Sequence, residues 1–328
     1  MELTLNKKVD YKKLDIKHIS DATKEILNYI DNRRTGKVRS LRTKWTKFNR
    51  NCMGGIEPNT IYSVCGISGS GKSSFVNSLQ IDLFELNPDE NFVILNFNFE
   101  MLSSRQVGRA LSYKLNRTTS ELYSSSNTDD AYKVSDVDFE EIFKQAGKIQ
   151  QYPIYFVDCP GTVEEIRNTI ISFQSLEQIK GKWVIVILDH TLLTKGNSGE
   201  SEREIISSLQ KMFMERKKYG RITIIQLSQL NREIEDKDRI NNPAMHYPMR
   251  RDIFGSDSLF QPSDYVIVLH RPEIIGISEY GSKKLPVKNM IYMHILKNRE
   301  GEPKFLSFEN NLKYNRIDEI DPYTMLNF

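Results

Sequence analysis

The stretch Gly66-Ile67-Ser68-Gly69-Ser70-Gly71-Lys72-Ser73 fits GxxxxGK[ST] in full. That pattern is built for chemistry on a phosphate chain. Glycines let the backbone wrap phosphates where a Cβ would block the approach. Exposed amide N–H groups and a helix N-terminus favour the negative charge. Lys72 is expected to reach the terminal phosphates and Ser73 to ligate magnesium through its hydroxyl. Gly66, Ser68, Gly69, Ser70, Gly71, Lys72, Ser73 and Ser74 form the expected nucleotide-binding set. A Gly/Ser-rich turn would match by chance with odds on the order of one in a hundred, so the strand before the loop and the helix after it carry the assignment.

A bound triphosphate also needs a second hold on the metal and a base for water. Val184–Leu188 is an apolar run that ends in Asp189, which suits a magnesium contact beside Ser73; the plainer role is a cap on the next segment. Phe92–Phe99 ends in Glu100, which is expected to accept the proton of an attacking water. Its strand follows the phosphate-loop helix and is expected to lie next to the phosphate-loop strand. A lone Glu after a strand is otherwise a solvated side chain. Ile222–Leu227 ends in Ser228-Gln229, where an amide could sense the γ-phosphate or simply close a turn.

These groups need a scaffold that delivers strand ends to one edge. Strands are predicted at Ile61–Cys65, Phe92–Phe97, Ile154–Val157, Trp183–Leu188, Ile222–Leu227, Tyr265–Leu269 and Met290–Leu296. Helices are predicted at Lys72–Leu86, Ser103–Leu115, Asp138–Gln150, Val163–Leu176 and Glu202–Tyr219. Such alternation, with near-continuous apolar strands, means a buried, mostly parallel sheet with helices on both faces. Near the C-terminus, Met290–Leu296 and Lys304–Phe308 flank Glu300–Gly301 as a β-hairpin. Upstream, Ile19, Ala22, Ile26 and Ile30 share one face of a helix over Ile19–Asn32, with Ser20 or Asp21 as its cap.

Composition is that of an ordinary soluble chain: 328 residues, 39% hydrophobic and 27% charged. There is no apolar run of membrane-spanning length, and the opening residues lack the n-region and h-region of a signal peptide, so none is expected. The three cysteines, Cys52, Cys65 and Cys159, form no CxxC pair, so a disulfide framework is not expected and a reducing cytoplasm is the natural setting. Residues 1–50 hold 14 Lys/Arg against 6 Asp/Glu, a net +8, while the whole chain is only +3. That arm suits a phosphate backbone or an acidic partner, or is merely a solvated extension.

Taken together, the motifs from Asn51 to Tyr314 resemble the motor domain of the DnaB-type hexameric replicative DNA helicases, within the RecA-like P-loop NTPases. Asn98-Phe99-Glu100-Met101 is similar to the family's SLEM element, which implies a catalytic role for Glu100. Leu188-Asp189-His190 resembles its Walker B strand end. Leu227-Ser228-Gln229-Leu230-Asn231-Arg232 is close to a literal SQLNR element, which implies that Gln229 couples the γ-phosphate to DNA-binding loops. Lys297-Asn298-Arg299-Glu300-Gly301 resembles the KxRxG hairpin, so Lys297 and Arg299 are expected to reach a neighbouring subunit's phosphates.

The resemblance implies ATP and Mg2+, single-stranded DNA, a homo-oligomer of six subunits moving 5′ to 3′, and possible contact with other replication proteins. The segment Arg250–Asp257 takes the place of the family's DNA-contacting loop without matching it letter for letter. Arg232, Arg250, Arg251, Gly255 and Ser256 are its candidate DNA contacts. Glu233–Met249 is polar and Pro-containing, and is expected to be a flexible loop facing a central channel.

The expected organisation is a basic flexible arm over 1–17, a linker helix with a basic connector over 18–50, and the motor over 51–328. The family's helical collar is expected to be absent. The helix at Ile19–Ile30 is expected to bury its apolar face on an adjacent subunit, or else on its own domain. The leading reading is an ATP-driven ring helicase. A RecA-like recombinase, or a regulatory DNA-binding ATPase without processive unwinding, is the alternative; a non-catalytic nucleotide-dependent scaffold ranks third.

Overall fold

The structure is a computed structural model that describes residues 16–125, 133–196 and 199–320, with only the backbone at Ser256. The chain divides into two compact units, Met1–Arg39 and Ser40–Phe328. Most of the expected basic arm lies outside the described residues. In the first unit, helix α1 (Ile19–Arg34) is capped by His18, whose ring nitrogen accepts from Ser20 N at 3.2 Å. The cap is thus two to three residues earlier than Ser20 or Asp21. Asp21 in the first turn and Arg33 and Arg34 in the last complement the helix dipole. No residue of α1 is buried, and Ile19, Ile26, Leu27 and Ile30 are all exposed.

Among the described residues, the second unit is built on one nine-stranded sheet in the order β3-β2-β4-β5-β1-β6-β7-β8-β9. The strands are β1 (Ile61–Cys65), β2 (Phe92–Asn98), β3 (Ile154–Val157), β4 (Trp183–Asp189), β5 (Ile222–Ser228), β6 (Tyr265–His270), β7 (Met290–Asn298), β8 (Lys304–Asn311) and β9 (Arg316–Ile320). The first six pair in parallel, and β6 through β9 form an antiparallel extension. The α/β architecture with a mostly parallel sheet and a C-terminal hairpin is as expected. Strands β1, β2, β4, β5 and β6 are buried along their whole length, which is why they read as unbroken apolar runs.

Helices cover both faces. On one, α3 (Lys72–Leu86) packs Phe75, Val76, Leu79 and Leu83 against Tyr62, Ile94, Ile185 and Ile267. On the other, α7 (Val163–Ser175) and α8 (Glu202–Arg216) bring Ile166, Ile170, Leu209 and Phe213 onto Val93, Leu95, Val184 and Val186. Helices α4 (Ser103–Leu115), α5 (Thr119–Leu122) and α6 (Asp136–Ile149) follow β2. Capping boxes at Thr118, Ser135, Thr162 and Ser201 fix where α5 to α8 begin.

The stretch expected to be a basic connector contributes to the core from Ser40 onward. Leu41, Trp45 and Phe48 are buried, the last on the short helix α2 (Thr46–Asn51). Trp45 stacks on Phe75 with centroids 4.5 Å apart and donates from Nε1 to Ile317 O at 3.1 Å. Backbone N–H groups of Lys47 and Phe48 donate to the Glu319 carboxylate at 2.6 and 2.9 Å. This segment therefore binds the final strand to the phosphate-loop helix.

One expected neighbour relation is corrected. β2 does not lie beside β1; β4 and β5 stand between them. Sequence succession sets spatial adjacency only about two-thirds of the time. Here the crossover through α3 carries the chain past two positions that later strands fill.

Candidate active site

The loop from Gly66 joins β1 to α3 at the carboxyl edge of the parallel strands. It is a tight cradle. A Cβ on Gly66 would lie 2.3 Å from Ser70 Oγ and 2.7 Å from Leu269 O. Gly71 holds φ +99° as the N-cap of α3, a conformation that side chains resist. Ser70 Oγ is buried and has no hydrogen-bond partner among the described residues. Lys72 Nζ donates to Gly66 O at 2.7 Å and to Ile67 O at 3.0 Å, and burial holds its pKa below the usual lysine range. A half-buried ammonium at the helix start, beside a loop with an unsatisfied hydroxyl and glycine-lined walls, fits a phosphate chain. Ser68 and Gly69 are exposed at the tip, and Ser74 turns its hydroxyl to Asn315 Oδ1 at 3.4 Å.

Asp189 ends β4, and Ser73 Oγ donates to its Oδ2 at 3.2 Å. Burial pushes the Asp189 carboxyl up to about 6, and the charge of Glu100 adds to the shift; Ser73, Lys72 and Arg109 act the other way. A hydroxyl and a buried carboxylate within one hydrogen bond are oxygen donors of the kind a magnesium ion takes. Asn98 at the end of β2 stands opposite Asp189 in the parallel register, and Phe99 N donates to Asp189 O at 2.9 Å. Glu100 is delivered, exposed, on the turn that follows. Its charge bears on both Lys72 and Asp189, so it belongs to the same cluster although its strand is not the neighbour of β1.

Gln229, half-buried, follows β5, whose other edge pairs with β1. Its carbonyl accepts from Phe254 N at 3.1 Å, Asn231 N donates to Asp252 O at 2.6 Å, and Leu230 bridges Ile253 antiparallel. The element after β5 is thus laced directly to the segment Arg250–Gly255. Arg232, Arg250 and Arg251 are exposed around it. Gly255 has φ +64° and caps the short helix α10 (Ser256–Phe260).

A model of the DnaB-like helicase C terminal domain covers residues 40–319. The chain belongs to that family. Relatives include the replicative DNA helicase DnaC of Bacillus subtilis, 25% identical over 310 residues, which span 94% of this chain and 62% of the relative. The replicative DNA helicase DnaB of Geobacillus stearothermophilus gives the same identity and coverage. The chain therefore spans about three-fifths of the length of these relatives. Among solved structures, one described as an ATPase domain superposes with a TM-score of 0.75 at 20% identity, over 94% of this chain and 100% of that one. A DnaB-like replicative helicase described with its interactions with primase gives 0.73 at 19%, over 94% and 68%. The RecA-like fold expected from the motifs is the fold found.

In this DnaB-like domain the hairpin residues lie far from the loop. Lys297 Nζ donates to Phe260 O and Gln261 O at 2.9 and 2.7 Å, and burial, then Arg299, lower its pKa. Arg299 Nε lies 2.6 Å from Asp264 Oδ1. Neither residue joins Lys72 and Asp189 within the chain. The segment Glu233–Met249 is not the flexible loop expected. It forms 3-10 turns at Arg232–Glu235 and Pro243–Met245 with the short helix α9 (Lys237–Ile240) between them. Buried Arg239 pairs with both oxygens of buried Asp252, Nη1 to Oδ1 and Nη2 to Oδ2 at 2.6 Å, and donates to Met245 O and Tyr247 O. A bidentate, fully satisfied ion pair holds a polar segment in place that composition alone marks as loose.

Sequence reading did not single out Arg239, Asn77 or Gln106, and it took in Asp252 and Asn98 only as members of the Arg250–Asp257 and Asn98–Met101 segments; Asn77, Asn98 and Gln106 lie buried behind Glu100. Asn98 replaces the serine of the resembling SLEM element, a departure visible in the sequence.

Proposed function

We propose that this chain is the motor of an ATP-driven DNA helicase that assembles as a ring, six subunits being the number we favour, and translocates on single-stranded DNA. The observation that carries the reading is the direct backbone pairing of Gln229–Asn231 with Asp252–Phe254. It links the edge that holds Gly66–Ser73, Asp189 and Glu100 to an exposed arginine-bearing segment. A change at the γ-phosphate has a short, hydrogen-bonded route to Arg232, Arg250, Arg251, Gly255 and Ser256. Those residues suit DNA phosphates, whose contacts give sequence-independent affinity.

In this reading Lys72 and the loop amides hold the β- and γ-phosphates of ATP. Ser73 and Asp189 would hold Mg2+, which supplies charge neutralisation for the transferring phosphoryl group. Glu100 accepts the proton of the attacking water. Lys297 and Arg299 of one subunit serve the nucleotide of the next. Gln229 senses the γ-phosphate. Residues 1–17 and 18–39 act as arm and linker, with Ser40–Arg50 belonging to the motor, and the apolar face of α1 docks on an adjacent subunit. Other replication proteins are candidate partners, since the name of one solved neighbour pairs a DnaB-like helicase with primase. No helix among the described residues is long and apolar enough to cross a membrane.

A strand-displacement assay on forked DNA tests the reading. ATP-dependent release of the labelled strand is expected, faster when a 5′ single-stranded arm is present. DNA-stimulated ATP hydrolysis with no displacement on any fork would replace the helicase with a non-unwinding DNA-dependent ATPase.

A further inference from the structure

Behind the turn that carries Glu100 runs a chain of buried amides. Asn77, on the phosphate-loop helix α3, donates from Nδ2 to Gln106 Oε1 and to Gln106 O, both at 3.1 Å. Gln106, on α4, donates from Nε2 to Asn98 Oδ1 at 3.0 Å. Asn98 in turn donates from Nδ2 to Met101 O, across the residue Glu100 itself. All three side chains are at least nine-tenths buried, with exposures of 3%, 6% and 1%. A parallel tie joins Asn96 of β2 to Gln80 of α3, Nδ2 to Oε1 at 3.0 Å.

Amides in such places are costly unless every bond is made, and apolar side chains would pack a helix on a sheet as well. The direction of the bonds suggests what they do. Phe99 N is already fixed to Asp189 O, so the backbone anchors the turn on its β4 side. The Asn98 amide closes it on the other side, at Met101 O. These two anchors hold the chain on both sides of Glu100, whose charge bears on Lys72 and Asp189.

We infer that Asn98, held by Gln106 and Asn77, is a positioning residue that sets the Glu100 carboxylate against the phosphate loop, so that the loop helix and the base move as one body. The inference rests on Glu100 being the base. It assigns no substrate contact to the amides, which act through Glu100.

The test is steady-state and single-turnover ATP hydrolysis by Asn98→Leu and Gln106→Met, each alone and combined with Glu100→Gln. Asn98→Leu keeps the branching and heavy-atom count, though it is bulkier, and deletes both bonds; Gln106→Met removes the support from the helix side and serves if the first variant folds poorly. A misplaced base costs turnover and not binding, so kcat should fall on the order of ten- to a hundred-fold with KM for ATP unchanged. In the Glu100→Gln background neither substitution should lower the residual rate further, because the group they position is already disabled. Asn98→Asp retains the acceptor for Gln106 but presents an oxygen to Met101 O, and should be as slow as Asn98→Leu. Parent kcat in folded Asn98→Leu and Gln106→Met, or losses that multiply with that of Glu100→Gln, would overturn the inference. Parent turnover in Glu100→Gln alone would instead remove the base assignment, a separate and visible outcome.

Discussion

Arg299 is bound to Asp264 at the edge of the sheet opposite the phosphate loop. Its Nε lies 2.6 Å from Asp264 Oδ1, and its backbone N donates to Asp264 O at 3.0 Å. Asp264 also accepts from Ile61 N at 2.8 Å, at the start of the strand whose other end leads to Gly66. Five residues of β1 separate the two edges, roughly 16 Å at ~3.3 Å per residue. Arg299 therefore does not serve its own subunit's Lys72 loop in this arrangement.

Asp264 and Arg299 should separate in their effects on stability. Asp264 is buried and receives Ile61 N, Lys217 Nζ and Arg299, so Asp264→Ala strands a lysine and a backbone donor. A loss of about 3–5 kcal/mol is expected, as for breaking a buried pair. The Arg299 side chain is half exposed, and Arg299→Ala should cost under about 1 kcal/mol. Urea unfolding of the two variants checks this; equal losses would make Arg299 a structural clamp.

Lys72→Ala should lose ATP binding without losing the fold. Burial already disfavours the Lys72 charge, so its removal relieves a cost in the free protein. Titration with a fluorescent ATP analogue should show most of the affinity gone, while the thermal midpoint stays at or above the parent value. Retained binding would move the nucleotide away from Gly66–Ser73.

His270 gives a pH signature. It is fully buried with neither ring nitrogen hydrogen-bonded among the described residues, and burial, then Arg239 and His246, depress its pKa to about 3. The unfolded chain takes up that proton near pH 6.5 and the native state does not. Stability should therefore be lost as pH falls below 6.5, by ~1.4 kcal/mol per pH unit from this group. His270→Phe should have a flatter stability profile between about pH 6.5 and 4.5. Parallel profiles for parent and variant would show that the imidazole titrates alike in both states.

Much of this architecture was legible before the structure. Trp183–Asp189 and Ile222–Ser228 are apolar throughout because both faces of the sheet are covered, and the Gly66–Ser73 loop can only lie between a strand and a helix. The edge strand Arg316–Ile320 went unread because its residues are mostly charged and only Ile317 is fully buried. Helix α2 hid in a basic stretch whose lysines and arginines surround a buried Trp45 and Phe48. The place of β2 needed contacts made a hundred residues later. Arg239–Asp252 needed a pairing that polar composition does not announce. The phosphate loop, Asp189 and Glu100 were visible as motifs, but the amides that set Glu100 were not, since a buried Asn or Gln has no sequence period of its own.

Completion of the site by a neighbouring subunit can be read from a mixture of two inactive variants. Arg299→Ala should bind ATP, assemble and fail to hydrolyse, because a finger of this kind is worth roughly 10³–10⁵ in rate. Glu100→Gln should bind and fail as well, for want of a base. In mixed assemblies some interfaces pair an intact Glu100 with a neighbour's intact Arg299. ATP hydrolysis by the mixture should recover to a fraction of the parent rate that follows the mixing ratio. No recovery, in mixtures shown to co-assemble, would contradict the shared site and leave Arg299 with its contacts to Asp264 and Gln261 within its own subunit.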